Sequence, residues 1–145
     1  MSAIGTGMMI FCFVGDTPIF TPNGEVEIKD IKVGDQVYAL DSNNNDEIIV
    51  AEVTETLEPK ESDIVLVQVG DRDVWTTPSQ PFLTRDEEFV TIDDMIIGET
   101  ELKQFGKVTN IIPIPDKELV YDLKISRGDC YFANGLVVKA STNEW

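Results

Sequence analysis

The sequence predicts a single all-β domain. Three observations carry that expectation: short runs in which apolar and polar residues alternate, turn signals recurring about every 8–12 residues, and scarcely any helical periodicity along 145 residues. Hydrophobic residues make up 42% of the chain and charged residues 26%, the balance of a globular protein. The length suffices for one core without help from disulfides or metals.

The first apolar run, Phe11-Cys12-Phe13-Val14, is closed by the turn Gly15-Asp16-Thr17-Pro18. Pro18-Ile19-Phe20 and Glu25-Val26-Glu27-Ile28 flank Thr21-Pro22-Asn23-Gly24, where an Asn-Gly pair between alternating runs is a strong hairpin signal. Ile28 and Ile31 around Lys29-Asp30 read as one helical turn, and Val33-Gly34-Asp35 turns the chain into a strand from Gln36 to Leu40. Asp41 to Asp46 is a polar loop tip. Strands follow from Glu47 to Leu57 and from Ile64 to Gly70, joined by residues 58–63. The next strand, beginning near Val74, must break at Thr77, because Pro78 and Pro81 cannot both sit in a central strand; it resumes at Phe82. Residues 89–97 alternate weakly and end in a short helix with Asp93 near its start. Lys107 to Ile114 and Leu119 to Ser126 are strands set apart by Pro113 and Pro115. Tyr131-Phe132-Ala133-Asn134-Gly135-Leu136-Val137-Val138-Lys139-Ala140-Ser141 is a hairpin whose second strand delivers a hydroxyl residue.

Charge narrows the function. Against 11 basic residues stand 27 acidic ones, a net charge of −16, so a phosphate backbone or an anionic lipid surface is repelled; neither nucleic acid nor membrane is an expected partner. Such acidity favours a soluble monomer. No apolar run approaches the roughly 20 residues that span a bilayer, and residues 1–11 lack the basic start of a secretory signal, which places the protein in the cytoplasm. Two cysteines, Cys12 and Cys130, do not make a secreted disulfide framework. The chain has no histidine, which removes the usual proton carrier near neutral pH and the commonest zinc ligand. Neither a cofactor nor a metal is expected. With no phosphate-binding glycine loop and no Gly-x-Ser-x-Gly turn, an enzyme acting on an outside substrate is disfavoured.

What remains is an ordered set of motifs: Cys12-Phe13-Val14-Gly15-Asp16-Thr17, the Val33-Gly34-Asp35 turn, Thr76-Thr77-Pro78-Ser79-Gln80-Pro81-Phe82, Val120-Tyr121-Asp122-Leu123, and Tyr131 to Val138. In this order they resemble an intein and, more broadly, the Hint module shared by inteins, bacterial intein-like domains and Hedgehog autoprocessing domains. The family's homing-endonuclease insert would fall at residues 98–107, where there is no room for it, and the span from Cys12 to Ala140 is similar to that of a mini-intein. The resemblance implies a horseshoe-shaped β fold with pseudo-two-fold character. It implies domain boundaries at Cys12 and Ala140, with residues 1–11 and 141–145 as flanking extein-like sequence. It also implies autocatalytic splicing acting in cis on those flanks: Cys12 attacks the Phe11 carbonyl, Ser141 takes the acyl group from the resulting thioester, an asparagine before Ser141 cyclises, and an acyl shift restores a peptide bond.

Departures from the family pattern fall at the chemistry. Gln80 stands where the Thr-x-x-His loop carries histidine; it can hydrogen-bond or twist the Phe11–Cys12 peptide but cannot titrate. General acid–base help is worth about 10²–10⁴-fold, so thioester formation should be slower unless a water or Asp122 supplies the proton transfer. Lys139 stands at the penultimate position, where it would set a charge near the Ala140 carbonyl. Ala140 occupies the asparagine position and has no amide to cyclise, so the last cleavage is blocked; an Asn→Ala substitution or a naturally altered element explains it. Thr77 and Asp122 match the residues that hold the N-terminal junction and the active cysteine. Cys130 reads as a buried inert thiol rather than a bridge to Cys12. Two other readings stay open: a domain of this family that cleaves rather than splices, and a non-catalytic all-β module in which Cys12 is merely part of the core.

Overall fold

The computed structural model describes residues 11–43 and 47–141. Of the flanking segments expected at 1–11 and 141–145, residues 1–10 and 142–145 lie outside the described residues, as does the tip of the polar loop at 44–46. Among the described residues the chain is β throughout, with single 3₁₀ turns at Ile28–Asp30 and Ile92–Asp94, and the strands curl into a half-barrel. No helix of the described residues is long and apolar enough to cross a membrane.

The strands form two sheets. One runs in the order Glu101–Leu102, Gly106–Pro113, Val65–Val69, Arg72–Thr76, Phe13–Val14, Glu118–Tyr121, Lys60–Ser62. The other runs Phe89–Val90, Phe82–Leu83, Leu136–Lys139, Cys130–Ala133, Gln36–Leu40, Ile48–Thr56, Leu123–Ile125, with the hairpin Pro18–Thr21 and Gly24–Glu27 attached to Cys130–Ala133. All of the strand pairs are antiparallel.

The chain changes sheet at a few corners, and these place the site. Residues 15–17 lead from Phe13–Val14 to Pro18–Thr21. Thr77 to Pro81 lead from Arg72–Thr76 to Phe82–Leu83, the break that two prolines impose. Asp122 alone separates Glu118–Tyr121 in the first sheet from Leu123–Ile125 in the second. The sequence suggests one continuous strand from Leu119 to Ser126; the structure splits it at Asp122, whose carbonyl takes the Leu57 amide at 2.9 Å as the neighbouring chain makes its own crossing. Lys60–Ser62, expected as a connection, is an edge strand beside Glu118–Val120. At the first hairpin the register Thr21↔Gly24 puts Pro22-Asn23 at the turn rather than Asn23-Gly24. At the last hairpin Asn134 and Gly135, both at positive φ (48° and 87°), form the tight loop between Ala133 and Leu136, the mirror-image turn that suits strand twist.

The largest apolar cluster joins both sheets, with Phe13, Ile19, Val67, Phe82, Leu123, Tyr131, Leu136 and Val138 among its members. Phe13 of the first sheet meets Tyr131 of the second edge-to-face, ring centroids 6.2 Å apart. Truncating this link removes a fully buried aromatic from the junction between the sheets. Phe13→Ala should lower unfolding free energy by about 3–5 kcal/mol, read as a fall in the urea midpoint at unchanged slope; a loss below about 1 kcal/mol would mean that the two sheets do not depend on this contact.

Candidate functional site

Register fixes the neighbours of Cys12. Phe13 pairs with Tyr121 on one side and with Thr76 on the other. One step back along these antiparallel ladders, Cys12 stands opposite Asp122 and opposite Thr77, both at corners where the chain leaves the sheet. The Cys12 amide donates to Thr77 Oγ1 at 3.1 Å. Its carbonyl accepts from Thr76 Oγ1 at 2.8 Å and from the Thr77 amide at 3.1 Å. The two peptide groups that flank the cysteine Cα are thus both held, one through its N–H and the other through its carbonyl.

The C-terminal strand reaches the same place. The Ala140 amide donates to the Asp129 carbonyl at 2.8 Å, and Ser141, itself buried, donates its hydroxyl to Asp122 Oδ2. Asp122 Oδ1 accepts from the Leu123 amide at 2.8 Å. A carboxylate only 2% exposed is tolerable because such bonds replace water. Gln80, fully buried, sends Nε2 to the Pro81 carbonyl at 2.9 Å and the Lys139 carbonyl at 3.0 Å. Two carbonyl acceptors fix which way the amide faces, and they leave Oε1 without a hydrogen-bond partner among the described residues. The side chain expected at the N-terminal peptide therefore ties the Thr77–Pro81 corner to the C-terminal strand.

Electrostatics follow from enclosure. Burial first, then the charge of Asp122, push the Cys12 thiol far above its ordinary range, with Lys60 opposing. Burial pushes up Tyr131 as well, reinforced by Asp122 and Cys12. Cys130 is raised by burial and by the charge and hydrogen bond of Asp129; its pairing with Lys139 and Leu40 turns its side chain to the face opposite Tyr131. Lys139 shares that opposite face, and its Nζ stands 5.0 Å from the Phe89 ring centroid instead of beside the junction. The fold thus gathers Cys12, Thr77, Asp122 and Ser141, with Gln80 and Ala140 adjoining, and leaves Lys139 outside. Among the described residues there is no cluster suited to a metal ion. Thr76 and Tyr131 are site residues that motif reading passed over. Thr76 was signalled by doubling Thr77 at the strand break; Tyr131 by being a large phenol in a strand otherwise wholly apolar.

An all-β unit of two curled sheets, with a cysteine, an aspartate and a serine gathered where the chain changes sheet, defines a Hint-type domain. More particularly, the chain has the intein fold. It superposes on the bacterial intein-like domain from Clostridium thermocellum at 27% identity and a TM-score of 0.78, covering 90% of this chain and 99% of that one. It matches the DnaB intein from Synechocystis sp. PCC 6803 at 19% identity and 0.81, over 92% and 100%, and the gp41-1 intein at 20% and 0.74, over 90% and 98%. No protein-family model and no curated protein sequence matches the chain.

The raised thiols and phenol bear on stability with a definite sign. Above about pH 9 the unfolded chain releases protons from Cys12, Cys130 and Tyr131 that the folded chain keeps, so their contribution is complete below the unfolded values and is lost as pH rises beyond them. Each costs up to about 1.4 kcal/mol per pH unit in that range. Urea midpoints should hold from about pH 7 to 8.5 and then fall. Cys130→Ala should make the alkaline limb shallower by one proton; an unchanged limb would show that this thiol ionises equally in both states.

Proposed function

We propose that this domain is a self-processing intein, extending from Cys12 to Ala140 and acting in cis on the segments that flank it. The Cys12 sulfur attacks the Phe11 carbonyl carbon. A C–S bond forms, the Phe11–Cys12 C–N bond breaks, and the thiol proton ends on the freed amine. The hydrogen bond from the Cys12 amide to Thr77 orients the Phe11–Cys12 peptide that is broken, and the one from Thr76 to the Cys12 carbonyl fixes the next peptide, so the nucleophile's backbone is held on both sides. Ser141 Oγ then attacks the thioester: an ester C–O bond forms, the C–S bond breaks, and the hydroxyl proton passes by way of Asp122 to the leaving sulfur. Ala140 ends the sequence at this branched ester, because a methyl group cannot displace the Ser141 nitrogen.

One observation carries the reading: a single buried carboxylate, Asp122, lies level with Cys12 one step beyond the Phe13–Tyr121 pair and holds the Ser141 hydroxyl. A structural core cysteine has no need of a carboxylate beside it, which only makes ionisation harder. The Ser141–Asp122 bond favours transfer to serine over simple hydrolysis.

The full chain incubated with excess dithiothreitol should lose residues 1–11, seen by intact mass, and the rate should keep rising with pH through about 9 because the thiol ionises late. Cys12→Ala should stay at full mass, and Ser141→Ala should still release the segment from the thioester. Identical products from the Cys12→Ala chain, or no release at any pH where the domain is folded, would refute self-processing at Cys12.

A further inference from the structure

The buried phenol of Tyr131 has no part in the reaction as derived so far. It is fully enclosed and its hydroxyl has no hydrogen-bond partner among the described residues, an arrangement that leaves its desolvation unrecovered. Its ring lies edge-to-face on Phe13, the residue after Cys12. On the other side it pairs with Val138, two residues before Ala140 on the same strand face, and Ala140 belongs to the same cluster. The ring is therefore packed between the strand that follows Cys12 and the strand that leads to Ala140, and the hydroxyl lies within the electrostatic reach of Asp122 and Cys12.

Deepening the self-processing reading, on which it rests, we propose that the Tyr131 hydroxyl donates a hydrogen bond to the oxyanion formed on the Phe11 carbonyl oxygen each time a nucleophile adds to that carbon: first Cys12, then Ser141 or an outside thiol. When Ser141 Oγ adds to the thioester carbon, the carbonyl π electrons move to oxygen; when the C–S bond breaks they return. Tyr131 shares its proton throughout and never gives it up. Other hydroxyls nearby are committed: Thr76 to the Cys12 carbonyl and Ser141 to Asp122. Asp122, when ionised, can only accept. A donor left unpartnered in the resting state and filled only in the transition state accelerates the chemical step, because its desolvation is already complete before reaction. Burial also favours the protonated phenol, the form that donates.

Tyr131→Phe removes the oxygen and keeps the ring. In the full chain its urea midpoint should be unchanged or higher, because a hydroxyl without a partner adds nothing to the fold. Release of residues 1–11 by dithiothreitol should nevertheless slow by about 10²–10³-fold. A rate within about twofold of the parent, with the parent active, overturns the assignment and leaves self-processing intact. A clear drop in the urea midpoint also overturns it, since the hydroxyl would then be bonded within the fold. A parent that releases nothing, with Cys12→Ala indistinguishable from it, brings down the self-processing reading and this assignment together.

Discussion

Everything near the site depends on where Asp122 can be. A strand that ran straight from Glu118 to Ile125 would alternate its side chains and stay in one sheet. Breaking it at one residue lets the first half lie beside Phe13–Val14 and the second beside Ile48–Thr56, and turns the corner residue inward between them. The carboxylate is then fixed by its own strand, since Leu123 donates to one oxygen, leaving the other for Ser141. A buried charge with one oxygen already occupied has little freedom, so whatever binds the second is positioned too. The C-terminal strand is long enough to reach it only because the Asn134-Gly135 turn is tight and in register.

Without histidine, proton movement in the proposed reaction falls to groups tuned by their surroundings. Hydroxyls and amides of Thr76, Thr77 and Gln80 do the holding: they orient peptide groups and do not titrate. Gln80 shows how an amide serves where a titrating ring would be expected. Its Nε2 couples the corner beside Cys12 to the Lys139 carbonyl, so a displacement at one junction is felt at the other. That link is mechanical rather than acid–base, and it acts at any pH.

Much of this was legible from sequence because it is written in local rules. Prolines at 78 and 81 forced the break at Thr77, and Asn134-Gly135 forced the last hairpin. The ordering of Cys12, Thr77, Asp122 and Ser141 along the chain pointed to residues that the structure does gather. The corner at Asp122 was not legible, because Val120-Tyr121-Asp122-Leu123 has neither proline nor glycine to mark it and the break is imposed by pairing with two different sheets. Lys139 was set near the junction by its place in the chain, yet strand alternation turns it to Phe89. Tyr131 escaped notice for a related reason: a phenol in an apolar strand looks like core, and only the structure shows that its oxygen is enclosed and unbonded among the described residues.

The complete enclosure of Cys12 separates two clocks. Chemistry inside the domain proceeds among neighbours already in place, whereas any nucleophile from solution must wait until the sheets part locally at the first strand. That strand is only two residues long, Phe13–Val14, held between two neighbours rather than by its own length. In the proposed reaction the resistance of the Cys12 thioester to outside attack is therefore set by how often these few ladder bonds open. Loosening the strand would trade a sealed intermediate for a leaky one without touching a reacting atom.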